Sequence, residues 1–149
     1  MLISYPAIFY YDDEADNPGY FIHFPDIPAA GTQGTSIEDG LEMASDWLGI
    51  QIAHYFESDE VPPSPSSVND LSPGNNNPFK DDADFDFKYD KEKSFVTLVS
   101  VDLKEYLSAN ELVKKTLTIP RWAEKRGKEL RLNFSQTLTE AIVNKSMDR

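Results

Sequence analysis

A chain of 149 residues has room for one domain of about 100 residues and a much smaller second one. Its 26 Asp/Glu against 14 Lys/Arg make it strongly acidic, and the lack of cysteine excludes disulfides and thiolate chemistry. No apolar run approaches the roughly 20 residues that cross a bilayer, and no basic and apolar leader opens the chain, so a cytoplasmic protein with no membrane role is expected.

In chain order, Tyr5 to Tyr11 reads as a strand, Asp12 to Gly19 as an acidic turn and Tyr20 to Phe24 as a second strand, giving a hairpin. Pro25-Asp26-Ile27-Pro28 is a turn, and Ala30 to Gln33 a short third strand. A helix is expected from about Ser36 to Phe56, where Ile37, Leu41, Ala44, Leu48, Ile52 and Tyr55 recur every three or four residues. Thr35 and Glu38 have the spacing of a capping box. From Ser58 to Phe79 the pattern breaks: five of the ten prolines lie there among Ser and Asn, with hardly any aliphatics. Such a stretch should be a long loop or flexible insert, reaching to about residue 93. Phe95 to Leu103 is strand-like with two apolar faces, the pattern of an inner strand. A helical turn or linker is expected over Leu103 to Leu112.

Leu112 to Ile119 reads as another strand, with Lys115 (by its stem), Leu117 and Ile119 on one face and Lys114, Thr116 and Thr118 on the other. Pro120 stops it and suits the first turn of a helix to about Leu130. Asn133 then caps a second helix carrying Phe134, Leu138, Ala141 and Ile142 at helical spacing. Strand, helix and helix in this order make a ribbon-helix-helix domain. So small a unit cannot bury these stripes alone, which predicts a homodimer with paired strands. A two-stranded ribbon fits the major groove, where Lys114, Thr116 and Thr118 would meet base edges. Backbone N–H groups of Phe134 and Ser135, at the start of the second helix, would hold a phosphate, with the Ser135 hydroxyl assisting.

Charge divides the chain the same way. Residues 111–149 hold nine Lys/Arg and five Asp/Glu, whereas the remaining 110 hold five basic and 21 acidic residues. Opposite signs in the two parts predict two different partners. An enzyme is the minority reading, and no cofactor or metal is expected: the composition could supply carboxylates for two Mg²⁺, but the candidate acids cluster in turns rather than alternating within strands. His23 and His54 lie on separate elements without ligand spacing. The alternating acids Asp12, Glu14, Asp16 and Asp82, Asp84, Asp86 lack the glycine and the closing glutamate of a calcium loop. No nucleophile elbow, P-loop or dinucleotide fingerprint is present.

Several stretches carry a resemblance: Tyr5-Pro6-Ala7-Ile8-Phe9; Gly19-Tyr20-Phe21-Ile22-His23-Phe24-Pro25-Asp26-Ile27-Pro28; Thr32-Gln33-Gly34-Thr35 with Glu38; and Leu41-Glu42-Met43-Ala44. With Val99 to Tyr106, Thr118-Ile119-Pro120 and Asn133 to Gln136, the chain resembles the HicB antitoxin family over nearly its whole length except the Pro/Asn-rich insert. The resemblance implies an α+β protein: a partial RNase H-like toxin-binding domain over residues 1–107, and a ribbon-helix-helix domain over 108–149. It also implies that the chain neutralises a HicA-like mRNA interferase toxin and represses its own operon by binding operator double-stranded DNA. A toxin that grips RNA must be basic, and residues 1–79 hold 13 Asp/Glu and no Lys or Arg. Asp12, Asp13, Asp16, Asp26 and the helix row Glu38, Glu42 and Asp46 are therefore the expected toxin contacts. Assemblies larger than a dimer stay open. Two alternatives compete: a stand-alone ribbon-helix-helix repressor with a ligand-sensing α/β domain, and a metal-dependent nuclease.

Overall fold

Leu2–Asp12 forms β1, which is apolar on both faces: Ile3, Tyr5, Ala7 and Phe9 point one way, Pro6, Ile8 and Tyr10 the other, and all are buried. A strand of that pattern needs cover on both sides. It lies inside a four-stranded sheet of order β3-β2-β1-β4, with β2 at Gly19–His23, β3 at Thr32–Gly34 and β4 at Asp90–Asp102. Every neighbouring pair is antiparallel, and the registers Phe9↔Ile22 and Tyr5↔Val99 continue the alternation across the sheet. β4 is not the inner strand that its two apolar faces suggest. It occupies the sheet edge, where Leu98 is left 55% exposed.

The computed structural model describes residues 1–14, 16–107 and 112–147. They fall into two compact units, Met1–Leu107 and Ser108–Arg149.

Helix α1, Ile37–Glu57, covers the Phe9 face of the sheet with Gly40, Ala44, Leu48, Gly49, Ile52 and Ala53. Full burial of a side chain such as Leu48 or Ile52 is worth about 1.5–3 kcal/mol. Two glycines set the approach. A Cβ on Gly34 would stand 2.3 Å from the Gly40 Cα, and one on Gly40 would stand 2.9 Å from the Phe9 ring, so β3 and α1 meet backbone to backbone. The helix start is one residue later than its capping-box spacing suggests. Ser36 Oγ accepts from the Asp39 N–H at 3.1 Å, and the Asp39 carboxylate accepts from the N–H and hydroxyl of Thr35. The shorter carboxylate of Asp39 closes the box, which frees Glu38 to face solvent.

The opposite face is covered by the segment expected to be a long, flexible insert. Between α1 and β4 the chain is irregular apart from a 3₁₀ turn at Val68–Asp70, yet it is tied down along its length. Where it leaves α1, Tyr5 Oη on the Phe9 face donates to Pro63 O at 2.5 Å, and Ser66 donates its N–H and hydroxyl to Asp26; further on, Tyr10 Oη on the opposite face donates to Pro73 O at 2.7 Å. Phe87 and Tyr89 then pack edge-on against Tyr10, at 5.0 and 4.9 Å, and Phe79 against Phe21 at 6.0 Å. A scarcity of aliphatics is no bar to packing when aromatic rings and proline carbonyls do the work. This strap is the second layer over the sheet.

Of the expected linker Leu103 to Leu112, Leu103–Glu105 forms a 3₁₀ turn and residues 108–111 lie outside the described residues. In the second unit, α2 runs Arg121–Glu129 and α3 Phe134–Met147. Asn133 Oδ1 accepts from the Gln136 N–H at 3.1 Å, as an N-cap should. Gly127 admits the Phe134 ring, whose atoms would lie 2.6 Å from a Cβ there. Residues 112–120 belong to no strand in the single chain, because a lone extended segment has no ladder to join.

Candidate partner-binding and nucleic-acid surfaces

On α1, Glu38, Glu42 and Asp46 are all exposed, and their spacing of four puts them in one row on the helix face turned from the sheet. Met43 stands beside that row, 42% exposed. From the strand side Tyr106 reaches the same place: its hydroxyl donates to Asp46 Oδ1 at 2.9 Å, and its ring lies against Gly49. That bond, more than burial, holds the phenol above its usual pKa range. Glu42, Met43, Ser45, Asp46 and Tyr106 line a shallow depression of about 360 Å³.

Next to it, an open groove of about 760 Å³ runs between the end of the β1–β2 hairpin, β3 and the start of α1. Asp12, Gly19, Tyr20, Thr35, Asp39 and Met43 line it. Met43 thus borders both hollows. Asp12 accepts the Glu14 N–H at 3.0 Å, which fixes the turn, and Asp13 and Asp16 project into solvent. Asp12 shares this groove with Asp39 of α1, whereas Glu42 and Asp46 line the neighbouring depression and Glu38 lines neither. The structure places Asp26 differently, since that carboxylate is taken up by Ser66 in anchoring the strap. Sequence reasoning missed Met43, Asp39 and Tyr106. Met43 falls off the apolar row of α1, and Tyr106 meets Asp46 from 60 positions away, a contact that no local pattern signals.

No group of three His, Asp or Glu among the described residues converges as metal ligands would. His23 is half-buried, and burial pushes its imidazole below the ordinary pKa. His54 lies near the end of α1 with Ser58 Oγ 3.5 Å from its ring nitrogens. No described helix is long and apolar enough to cross a membrane.

In the second unit Lys114, Thr116 and Thr118 are exposed, and Leu112 and Val113 are 87% and 85% exposed. Leu117, Ile119, Trp122, Leu130, Leu132, Phe134, Leu138 and Ile142 are 39–73% exposed, and only Gly127 and Val143 are buried among the described residues. Phe134 and Ser135 open α3, where the first N–H groups have no carbonyl one turn back to bond. Ser135 is exposed, and its carbonyl accepts from Thr139 Oγ1 at 2.9 Å.

Residues 4–72 match the family model of HicB-like antitoxins of bacterial toxin–antitoxin systems. Antitoxin HicB 1 of Photorhabdus laumondii is 46% identical over 56 residues, which cover 38% of this chain and 36% of that protein. Antitoxin HicB of Escherichia coli K12 is 42% identical over 55 residues, 37% of this chain and 40% of that one. The match therefore spans well under half of these curated relatives. Among solved structures, a chain of a toxin–antitoxin complex from Streptococcus pneumoniae is 55% identical, with a TM-score of 0.70 over 97% of this chain and 99% of that one. The antitoxin HicB of Burkholderia pseudomallei shares the α+β fold, with a TM-score of 0.61 at 20% identity over 95% and 96% of the two chains. Full-length likeness to the streptococcal chain and the family match within the first unit lead to one conclusion: this chain belongs to the HicB-like antitoxins.

Proposed function

We propose that the chain is a type II antitoxin and autorepressor, whose acidic first unit occupies the RNA-binding surface of a HicA-like mRNA interferase and whose second unit binds operator DNA as a ribbon-helix-helix homodimer. The observation that carries the reading is the contrast between the units. Unit 1 is acidic and complete, with both sheet faces covered. Unit 2 is basic and leaves nearly all its apolar side chains in solvent. Burying Leu117, Ile119 and the α2–α3 stripe against a second copy removes that exposure, and it leaves Lys114, Thr116 and Thr118 on the outer face of a paired ribbon. The order of a three-stranded meander, a helix and a fourth strand supports a partial RNase H-like reading of unit 1, with the strap reversing β4 to run antiparallel to β1. The role is inhibitory and not catalytic, exercised in the cytoplasm without cofactor or metal.

Electrostatics supports the toxin contact. Exposed Glu38, Glu42, Asp46, Asp12, Asp13 and Asp16 can take the places of RNA phosphates on a basic surface, and Met43 and Tyr106 supply apolar area beside them. Co-expression with the neighbouring toxin gene tests the pairing: the two products should co-purify, and RNA cleavage by the toxin should stop at equimolar antitoxin. For DNA, Thr116→Ala should lower the ratio of operator to random-sequence affinity by roughly five- to a hundredfold, the equivalent of about 1–3 kcal/mol. Replacement of Arg121 or Lys125 should instead weaken both affinities alike and flatten the salt slope. A folded variant lacking Lys114, Thr116 and Thr118 that still binds operator normally would refute the ribbon.

A further inference from the structure

The two edges of the sheet are built differently. β3 is three residues long and offers a neighbour little backbone, which is one way a sheet avoids unwanted pairing. β4 is 13 residues long, and its charges sit at its ends, in Asp90 to Lys93 and at Asp102. Between them the run from Ser94 to Val101 has no charge, proline or glycine. Apart from the Ser45 hydroxyl of α1, which takes the Ser100 carbonyl, the usual protections of an edge are missing there.

Hydrogen bonding shows which backbone groups the edge presents. Leu103 donates its N–H to Met1 O at 2.9 Å, one step beyond the Leu2↔Asp102 pair, and the Ser100 carbonyl accepts from Ser45 Oγ at 2.7 Å. Asp102 and Ser100 are therefore in non-hydrogen-bonded pairs with β1. By alternation the N–H and C=O of Val96 and Leu98 also point away from it. The Leu98 side chain, 55% exposed, lies on the sheet face that carries Pro6, its register partner.

A second copy is the occupant that this edge fits. A two-fold axis normal to the sheet keeps each face on its own side, so opposed residues must share a face. Centring on Val96 would set Asp90 against Asp102, and centring on Thr97 would set Glu92 against Asp102; like charges directly opposite are unfavourable. Centring on Val99 shortens the ladder, because the strand ends at Asp102. Centring on Leu98 opposes Phe95 to Val101, Val96 to Ser100 and Thr97 to Val99, with Ser94 meeting Asp102. It is the longest register in which no carboxylate faces another. We propose that β4 pairs antiparallel with β4 of a second copy about Leu98, joining two sheets into one continuous sheet. This contact belongs to unit 1 and does not depend on the antitoxin reading or on pairing of unit 2.

The chain has no cysteine, so a single engineered thiol reports the geometry. With full-length Leu98→Cys at micromolar concentration under oxidised glutathione, a disulfide-linked dimer should form roughly tenfold or more faster than with Ile50→Cys, because pairing holds the two thiols at a high effective concentration. Ile50 is as exposed, at 52%, but sits on α1. In parallel, in a full-length background in which Leu117→Lys keeps unit 2 from pairing, Leu98→Lys should halve the particle mass in sedimentation, with circular dichroism unchanged. If Leu98→Lys misfolds, the cross-linking rate alone decides. Cross-linking no faster than Ile50→Cys, or an unchanged mass in folded Leu98→Lys, overturns the proposal. An unchanged mass with loss of toxin binding would also overturn it, and would assign the edge to the toxin.

Discussion

Individual residues hold unit 1 together through shape and desolvation more than through charge. Gly34 is the sharpest case: its missing Cβ lets β3 touch the backbone of α1 at Gly40. Gly34→Ala should force the strand and helix apart and cost about 2 kcal/mol or more, read as a lower Tm or denaturation midpoint. His23 gives unit 1 a pH dependence of known sign. Because burial depresses its folded pKa, the unfolded chain takes up the proton first as pH falls below the ordinary value of about 6.5. Stability is therefore full at neutral pH, declines below about 6.5, and stops declining on this account once pH drops under the folded pKa. His23→Gln should flatten that slope in denaturation curves taken from pH 7.5 to 5, and a slope unchanged by the substitution would place the titration elsewhere.

At the scale of elements, the strap is where sequence and structure differ most. Its prolines and asparagines signal irregular chain correctly, but irregular is not the same as unpacked. Tyr5, Tyr10 and Asp26, all far from it in sequence, supply its anchors, and the rings that cover the sheet follow the Pro-rich stretch. Phe87→Ala should cost about 2–3 kcal/mol if those rings form a real layer, whereas a loose insert would tolerate the change within about 0.5 kcal/mol. The strands β1 and β2, the helix α1, and the helices α2 and α3 were readable because each follows its own period: two in Tyr5 to Tyr11, close to 3.6 in Leu41, Ala44, Leu48 and Ile52. What the period cannot give is an element's neighbours. Phe95 to Leu103 has the composition of an inner strand and sits at an edge, and the N-cap fell on Ser36 because Asp39, not Glu38, folds back on Thr35. The acidic row on α1 was readable from its spacing. Of its companions, Tyr106 was not, since it meets Asp46 only through tertiary contact, while Asp39 and Met43 stand beside the row on α1 itself but off its apolar stripe.

For the molecule as a whole, the division of labour follows from charge and burial. One unit is acidic and buries a core; the other is basic and leaves most of its described apolar side chains exposed. Inhibition and operator binding should then be separable, with α1 variants affecting only the first and Thr116 variants only the second. The central claim is that carboxylates steer unit 1 onto a basic, RNA-gripping toxin, and the direct test is the association rate of antitoxin and toxin measured from low to high salt. Steering across a Debye length of about 10 Å at 0.1 M predicts a rate that falls steeply as salt rises, and a slower, flatter rate for the triple charge reversal of Glu38, Glu42 and Asp46. A rate independent of salt, with that variant still neutralising the toxin, would contradict the account and leave an apolar contact around Met43 and Tyr106 in its place.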